Sequence, residues 1–446
     1  MFGGHLRSRL RRCAQLFTPL LLACTGLGAA CGTAQTSGFV AGADMSHLLF
    51  FEDRGVVYKD NGAPGDALAI LKRRGVNCIR LRLFTGSDEL VRTNKAYDYT
   101  NNLTYTLPLA ARVKSHGLQL MIDFHYSDTW ADPGKQTKPA AWAGLSFAEL
   151  TNAVRAYTSN CIAAFKAAGA MPEYVQLGNE ITGGMLWPDG AVGGTNDTPA
   201  QWLKFGQLLK SAYRGVADAA SNQMPKIIIH IDRGGDWPTA KWFFDKLSQQ
   251  NVPYDVIGYS FYPWWHGCFS NLFSCLSNTA ARYRKPIMVV ETAFPWANST
   301  NVCDIAATTN GQVEYVAALA ETIHSVPGRP VVGLFWWGTE YQQLWGYQLA
   351  GFDRRSFWNT NGNVLPVADA FGQLSAPVKI TPALGTDSIT FTWPISGAGM
   401  VLTASTTVAA SVWSPVSIAP IRSGTRYSVT VSMPTGHTHF YRLQAN

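Results

Sequence analysis

The sequence predicts an α/β fold, a (β/α)8 TIM barrel followed by a small C-terminal β-sandwich, on three observations. Between about Phe39 and Phe371, eight short apolar runs alternate with helical segments, as repeated strand–helix units of a parallel sheet require. Nearly every unusual polar or aromatic cluster follows one of those runs, and the C-terminal ends of the strands are where such a barrel holds its active site. From Ser375 the composition turns to Ser, Thr and Val in alternating patterns, the signature of half-buried antiparallel strands.

The N-terminus carries Arg7, Arg9, Arg11 and Arg12 ahead of an apolar stretch from Leu16 to about Ala30, too short and too early for a membrane span. Residues 1–34 are therefore expected to be a signal peptide cleaved after Ala34, giving a secreted, periplasmic or cell-surface protein. Leu21-Leu22-Ala23-Cys24 also fits a bacterial lipoprotein site, the alternative to release. Without the leader's four arginines the formal charge falls from +7 to about +3, which removes any argument for a nucleic-acid partner.

Residues 35–374 form the expected barrel domain. Its strands are expected at Phe39–Ala43, Asn77–Leu83, Leu118–Phe124, Tyr174–Leu177, Lys226–Ile231, Val256–Tyr259, Ile287–Val290 and Val331–Trp336. Helices show as periodic stretches such as Ala153 to Ala168 and Gln201 to Ala219, and turns ending in Gly75 and Gly117 feed the next strand. Residues 375–446 form the second domain, with alternating runs at Ser388–Trp393 and Tyr427–Val431. Its Trp393, Trp413 and Tyr441 are read as core rather than as sugar platforms.

Five cysteines lie beyond the leader: Cys78, Cys161, Cys268, Cys275 and Cys303. Cys268 and Cys275 are expected to close a small loop, and Cys78 and Cys161, set in apolar patterns, to be buried thiols. Neither a Cys-x-x-Cys pair nor a His-Glu-x-x-His run is present, so no metal is expected.

The chemistry rests on Glu180, after Val175-Gln176-Leu177-Gly178-Asn179, and Glu291, after Ile287-Met288-Val289-Val290. A glutamate after an apolar strand is common, and either one alone decides nothing. The pair lies 111 positions apart, about three strand–helix units, which places them on strands four and seven. Such a pair can break a glycosidic bond with retention if one carboxyl is protonated, the other ionised, and about 5–5.5 Å separates them. Asn179 is suited to hydrogen-bond a sugar 2-hydroxyl. One of Arg80 and Arg82, alternating with apolar residues on one strand, is expected to hold Glu291 ionised. Asp123 and His125, crowded near Asp128, are read as sugar contacts and site hydrogen bonds rather than metal ligands. The run Phe261 to His266, including Tyr262, Trp265 and His266, is read as an aromatic loop wall, and Trp337 as the floor of the cleaving subsite.

Asp123 to Trp142 (Asp-Phe-His-Tyr-Ser-Asp-Thr-Trp-Ala-Asp-Pro-Gly-Lys-Gln-Thr-Lys-Pro-Ala-Ala-Trp) resembles the corresponding segment of arabinogalactan endo-β-1,4-galactanases, glycoside hydrolase family 53. So do Gly42 to Ser46, Gly75 to Arg82, Val175 to Glu180, Tyr262 to Gly267 and Val289 to Thr292, in order over residues 39–371. The resemblance implies a (β/α)8 barrel that cuts β-1,4-galactan with retention, with Glu180 as acid/base and Glu291 as nucleophile. Arg80, His125, Asn179, Tyr262 and Trp337 would then line the cleaving subsite. The implied partner is plant cell-wall galactan or arabinogalactan, acted on by a monomer without a cofactor. Some bacterial members hold calcium in loops after strands seven and eight, and the stretch from Ala293 to Gln312 departs from those ligands. Where the family usually shows Tyr-Trp-Glu-Pro, Trp336-Trp337-Gly338-Thr339 stands. Two rival readings remain at this point: a retaining endoglycanase acting on mannan or cellulose, and a glycan-binding protein without catalysis.

Overall fold

A computed structural model describes residues 38–433 and 438–445. The expected signal peptide, residues 1–34, lies outside the described residues. From Gly38 onward the chain clusters as one compact unit.

Eight parallel strands close into a barrel: β1 (Val40–Asp44), β2 (Cys78–Leu83), β3 (Gln119–Phe124), β4 (Tyr174–Leu177), β5 (Lys226–Ile231), β6 (Val256–Ser260), β7 (Ile287–Thr292) and β8 (Val331–Trp336). Each pairs with its sequence neighbours, and β8 pairs with β1 to close the ring. A helix follows every strand in turn: α1 (Ala67–Arg73), α2 (Leu103–Ser115), α3 (Phe147–Ala167), α4 (Pro199–Ala220), α5 (Trp237–Ser248), α6 (Phe269–Tyr283), α7 (Thr309–His324) and α8 (Val367–Gly372). Local chemistry starts several of them. Ser146 and Glu149 form a reciprocal cap on α3, and the Asp66, Asn102 and Thr198 side chains accept first-turn N–H bonds on α1, α2 and α4.

The barrel interior explains where the chemistry sits. A separate apolar cluster, including Val40, Cys78, Met121, Tyr174, Ile228, Val256, Met288 and Phe335, plugs its lower half. Side chains on a strand repeat their direction every second residue, so two positions beyond Cys78, Met121, Tyr174 and Ile228 come Arg80, Asp123, Gln176 and His230. An apolar plug is thus capped by a polar layer at the strand ends. Phe335 fits the plug because position 42 is glycine: a Cβ there would lie 2.2 Å from its ring.

The C-terminal residues form two small antiparallel sheets. Strands β9 (Thr381–Leu384), β10 (Ser388–Pro394), β13 (Ile421–Ser423) and β14 (Arg426–Ser432) make one, in the order β9-β10-β14-β13. Strands β11 (Met400–Ser405), β12 (Ser414–Pro415) and β15 (Phe440–Ala445) make the other, in the order β12-β11-β15. Trp393 is fully buried, with its indole N–H on Gly397 O, and Phe391, Trp393 and Ile395 continue the core that wraps the barrel. Glu321 on α7 receives the Tyr427 hydroxyl at 2.7 Å and Arg422 at 2.9 Å.

The expected Cys268–Cys275 loop is corrected: Cys268 is bonded to Cys303, and Cys78, Cys161 and Cys275 are free and buried. Cys268 caps the start of α6 while Cys275 lies within it, seven residues on. At a 1.5 Å rise per residue that separates their Cα atoms by roughly 10 Å, beyond the reach of a disulfide. No helix among the described residues is long and apolar enough to cross a membrane.

Candidate active site

At the C-terminal mouth of the barrel, Arg82, His125, Trp130, Ala131, Asp132, Asn179, Glu180, Tyr262, Trp265, Glu291, Trp337 and Phe352 line a cavity of about 190 Å³. Glu291 lies near the end of β7 and is only 5% exposed. Glu180 stands three residues beyond β4, with φ +49° and ψ +48°. This left-handed conformation is uncommon outside glycine and costs an L residue about 1–2 kcal/mol. It is prepared by Gly178, with φ +87°, where a Cβ would lie 2.6 Å from Ile181 Cγ2.

Arg80 organises the polar layer. One guanidinium nitrogen meets Asp44 at 2.9 Å; the other lies 2.8 Å from Asp123, 2.9 Å from Glu291 and 3.0 Å from Asn179 Oδ1. Arg80 itself is wholly buried, so these charges interact with little screening by water. The Tyr262 hydroxyl donates to the second Glu291 oxygen at 2.9 Å. Glu180 has no cation within bonding distance among the described residues; its partner is the Ser260 hydroxyl, which donates at 2.6 Å.

The two carboxyls therefore differ in protonation. Burial pushes both above the ordinary carboxylate range. For Glu180 the negative charges of Glu291 and Asp232 add to burial, and it rises well above that range. For Glu291, Arg80 and the Tyr262 hydroxyl pull against burial. Of the two, Glu180 is driven further toward its protonated form, while Arg80 and Tyr262 favour the ionised form of Glu291. One group suited to protonate a leaving oxygen thus stands beside one suited to attack carbon.

The remaining candidates divide between the cavity wall and the layer behind it. Asn179 reaches the cavity with its amide turned by two contacts, Arg80 on the oxygen and Ala131 O on the nitrogen. His125 reaches it too, with Nδ1 accepting the Ala131 N–H and Nε2 lying 3.0 Å from Asp123. Trp265 is 66% exposed, and the stretch expected as a loop wall after β6 folds instead into a one-turn helix, Pro263–His266. Trp337 packs edge-on to Phe352, is stacked against Tyr341 and tilts against Trp130.

Arg80, Asp123 and His266, read from sequence as substrate-binding residues, do not line the cavity. Asp123 is fully buried and meets Arg80, Gln176 and His125; burial alone would raise it, but Arg80 and His125 hold it at about 2. His266 turns its Nδ1 inward to accept the Tyr262 N–H at 2.9 Å, and burial lowers it to about 4. Of the two arginines weighed for Glu291, Arg80 makes the pair. Arg82 binds Asp44 at 3.1 Å and His47 at 3.0 Å and lies under the rings of Trp130 and Trp337. Asp128 pins loops through Thr85 and Ala140.

Several participants escaped the sequence reading: Trp130, Phe352, Asp44, Gln176, His230 and Ser260. Of these, the polar side chains on β4 and β5 carried a signal in hindsight, since each lies two residues beyond an apolar inward position. Trp130 comes from a loop and Phe352 from a single 3-10 turn, Phe352–Arg354, where no periodicity assigns a direction.

A calcium ion does not fit the stretch from Ala293 to Gln312. Its one acidic residue is Asp304, whereas calcium takes six to eight oxygen ligands, and Cys303 is committed to the disulfide. Among the described residues no three His, Cys, Asp or Glu side chains converge on a metal-sized position. Glycosidic cleavage by paired carboxyls needs no cofactor.

The model of Glycosyl hydrolase family 53 matches residues 40–371, the barrel from β1 to α8. An uncharacterized protein of Niallia circulans, from the bgaB 5′ region, is 41% identical over 314 residues, covering 67% of this chain and 83% of that protein. The arabinogalactan endo-beta-1,4-galactanase of Humicola insolens is 36% identical over 310 residues, covering 66% of this chain and 88% of the enzyme. The solved GH53 catalytic domain of Ignisphaera aggregans superposes with a TM-score of 0.67 at 34% identity, covering 75% of this chain and 95% of that domain. With a family match over most of its length, and with paired carboxyls at the mouth of the barrel it covers, the chain is a glycoside hydrolase and belongs to glycosyl hydrolase family 53.

Proposed function

We propose that the protein is an exported, monomeric endo-β-1,4-galactanase that hydrolyses internal bonds in galactan or arabinogalactan side chains of pectin with retention. The observation that carries this reading is the unlike surroundings of the two carboxyls: Arg80 and the Tyr262 hydroxyl on Glu291, one serine hydroxyl on Glu180. The name of the Humicola insolens relative supplies the substrate class.

In the first step Glu291 attacks the anomeric carbon while Glu180 gives its proton to the departing glycosidic oxygen, leaving a glycosyl ester on Glu291. In the second, Glu180 takes a proton from water as that water displaces the ester, and both carboxyls return to their starting states. Asn179 holds the sugar 2-hydroxyl, where a contact strengthens as positive charge develops at the ring. Trp337 and Trp265 supply ring faces against which sugar units stack.

Incubation of linear β-1,4-galactan with the protein, followed by proton NMR of the new reducing ends during the first minutes, tests the reading. The β anomer is expected first, with oligosaccharides rather than galactose alone. Initial release of the α anomer overturns retention; cleavage of mannan or carboxymethylcellulose in preference to galactan overturns the substrate assignment.

A further inference from the structure

Three polar side chains of the inward layer have no part in the two-carboxyl chemistry as written: Gln176 on β4, His230 on β5 and Ser260 at the end of β6. They form a chain whose hydrogens can be assigned one after another. Asp123, ionised beside Arg80, only accepts hydrogen bonds, so the Gln176 group facing it at 2.5 Å is the amide nitrogen. That nitrogen also lies 2.9 Å from His230 Nδ1, and the Glu180 backbone N–H approaches the same ring atom at 3.4 Å. With two donors against it, Nδ1 is the acceptor nitrogen. Burial, and then the Arg80 charge, keep His230 neutral, so its single hydrogen is on Nε2. Nε2 stands 2.8 Å from Ser260 Oγ and donates to it. The hydroxyl's own hydrogen is left for Glu180 Oε1, 2.6 Å away.

A protonated carboxyl accepts hydrogen bonds best through its carbonyl oxygen, so an Oε1 that accepts at 2.6 Å favours the proton on the other oxygen. Glu180 Oε2 has no protein partner among the described residues, and Glu180 is part of the cavity wall. We propose that Ser260, its rotor set by His230, is a positioning residue that confines the acid proton of Glu180 to Oε2, the oxygen left free for the substrate. The inference rests on Glu180 being the acid of the proposed reaction. It also makes one charge govern both halves of the chemistry: Arg80 binds Glu291 directly and, through Asp123, Gln176, His230 and Ser260, decides where the proton of Glu180 sits.

The test compares kcat/KM of the parent, Ser260→Ala and Glu180→Ala on linear galactan and on 2,4-dinitrophenyl β-galactobioside, whose phenolate departs without a proton. Ser260→Ala removes one oxygen and leaves the strand able to pack, which a thermal melt verifies. It is expected to lose about tenfold or more on galactan and less than about twofold on the dinitrophenyl substrate, since general acid help is worth about 10²–10⁴-fold and the serine controls part of it. A ratio of the two losses below about fivefold overturns the proposal. If Glu180→Ala itself shows no leaving-group dependence, the acid assignment falls; if it does and Ser260→Ala does not, only the positioning role falls.

Discussion

Replacing Tyr262 by Phe deletes one hydroxyl and keeps the ring that packs near Trp264 and Trp265. Glu291 divides its oxygens between a charge and a dipole: Oε1 is held by Arg80 and Oε2 by the Tyr262 hydroxyl, each at 2.9 Å. A hydrogen bond to an ionised group contributes about 1.5–3 kcal/mol, against about 0.5–1.5 kcal/mol between neutral groups. The carboxylate therefore loses about 1–1.5 kcal/mol more than the protonated form when the hydroxyl goes. At about 1.4 kcal/mol per unit, this raises the Glu291 pKa by about one unit. In the proposed reaction attack needs the Glu291 carboxylate, so the acidic limb of kcat/KM on galactan is expected to move about one unit to higher pH. The alkaline limb, which follows Glu180, stays in place. Reducing-end release measured across the pH range at substrate concentrations well below KM reads both limbs. A uniform fall in kcat/KM with the acidic limb unmoved, or a limb moved to lower pH, refutes the view that the tyrosine stabilises the ionised nucleophile.

Two other perturbations address the surroundings of the site. Glu340 is wholly buried, accepts the His47 N–H at 2.7 Å, and is pushed up to about 8 by burial and the charge of Asp44. Between the unfolded carboxyl value of about 4.3 and that point, the folded state keeps a proton that the unfolded state has lost, so stability falls as pH rises through the window. Glu340→Gln is expected to melt with the parent near pH 5 and above it near pH 9; an equal deficit at both would refute the burial argument. The Cys268–Cys303 bond spans 35 positions, for which chain entropy gives about 4 kcal/mol. The double Cys→Ser variant is expected to lose about 2–4 kcal/mol in urea unfolding and to show a raised KM, because the bond ties the segment bearing Trp265 to the loop after β7. An unchanged urea midpoint would refute it.

The barrel was legible because its strands are buried on both faces and read as mainly apolar runs, so Tyr174–Leu177, Lys226–Ile231 and Val331–Trp336 are placed to the residue. Glu180 and Glu291 stood out as charges at the ends of such runs. What lay behind them was not legible. His230 and Ser260 are single polar residues at strand ends, and nothing local distinguishes a hydrogen-bond relay from a satisfied core side chain. The same limit applies to Asp123, whose neighbours His125 and Asp128 suggested a sugar-facing cluster although Arg80 and Gln176, which hold it, come from two other strands. Cys268 was paired with the nearer cysteine because sequence distance is visible and helical rise is not. Glu340, two residues past Gly338, which stands where the family's usual motif has a glutamate, gave no sign that a buried carboxyl would form there.

Ser375, where the polypeptide leaves the barrel, donates its hydroxyl to Gly75 O at 2.7 Å, and Arg329 reaches across to the carbonyls of Ser396 and Ala398. With Trp393 sealed in a shared interior, the appended strands sit against α7, the helix that follows the strand carrying Glu291. Such an appendage does not swing on a leash. Attempts to exchange this piece for a foreign cassette would expose apolar surface that the helix layer is not built to show to water.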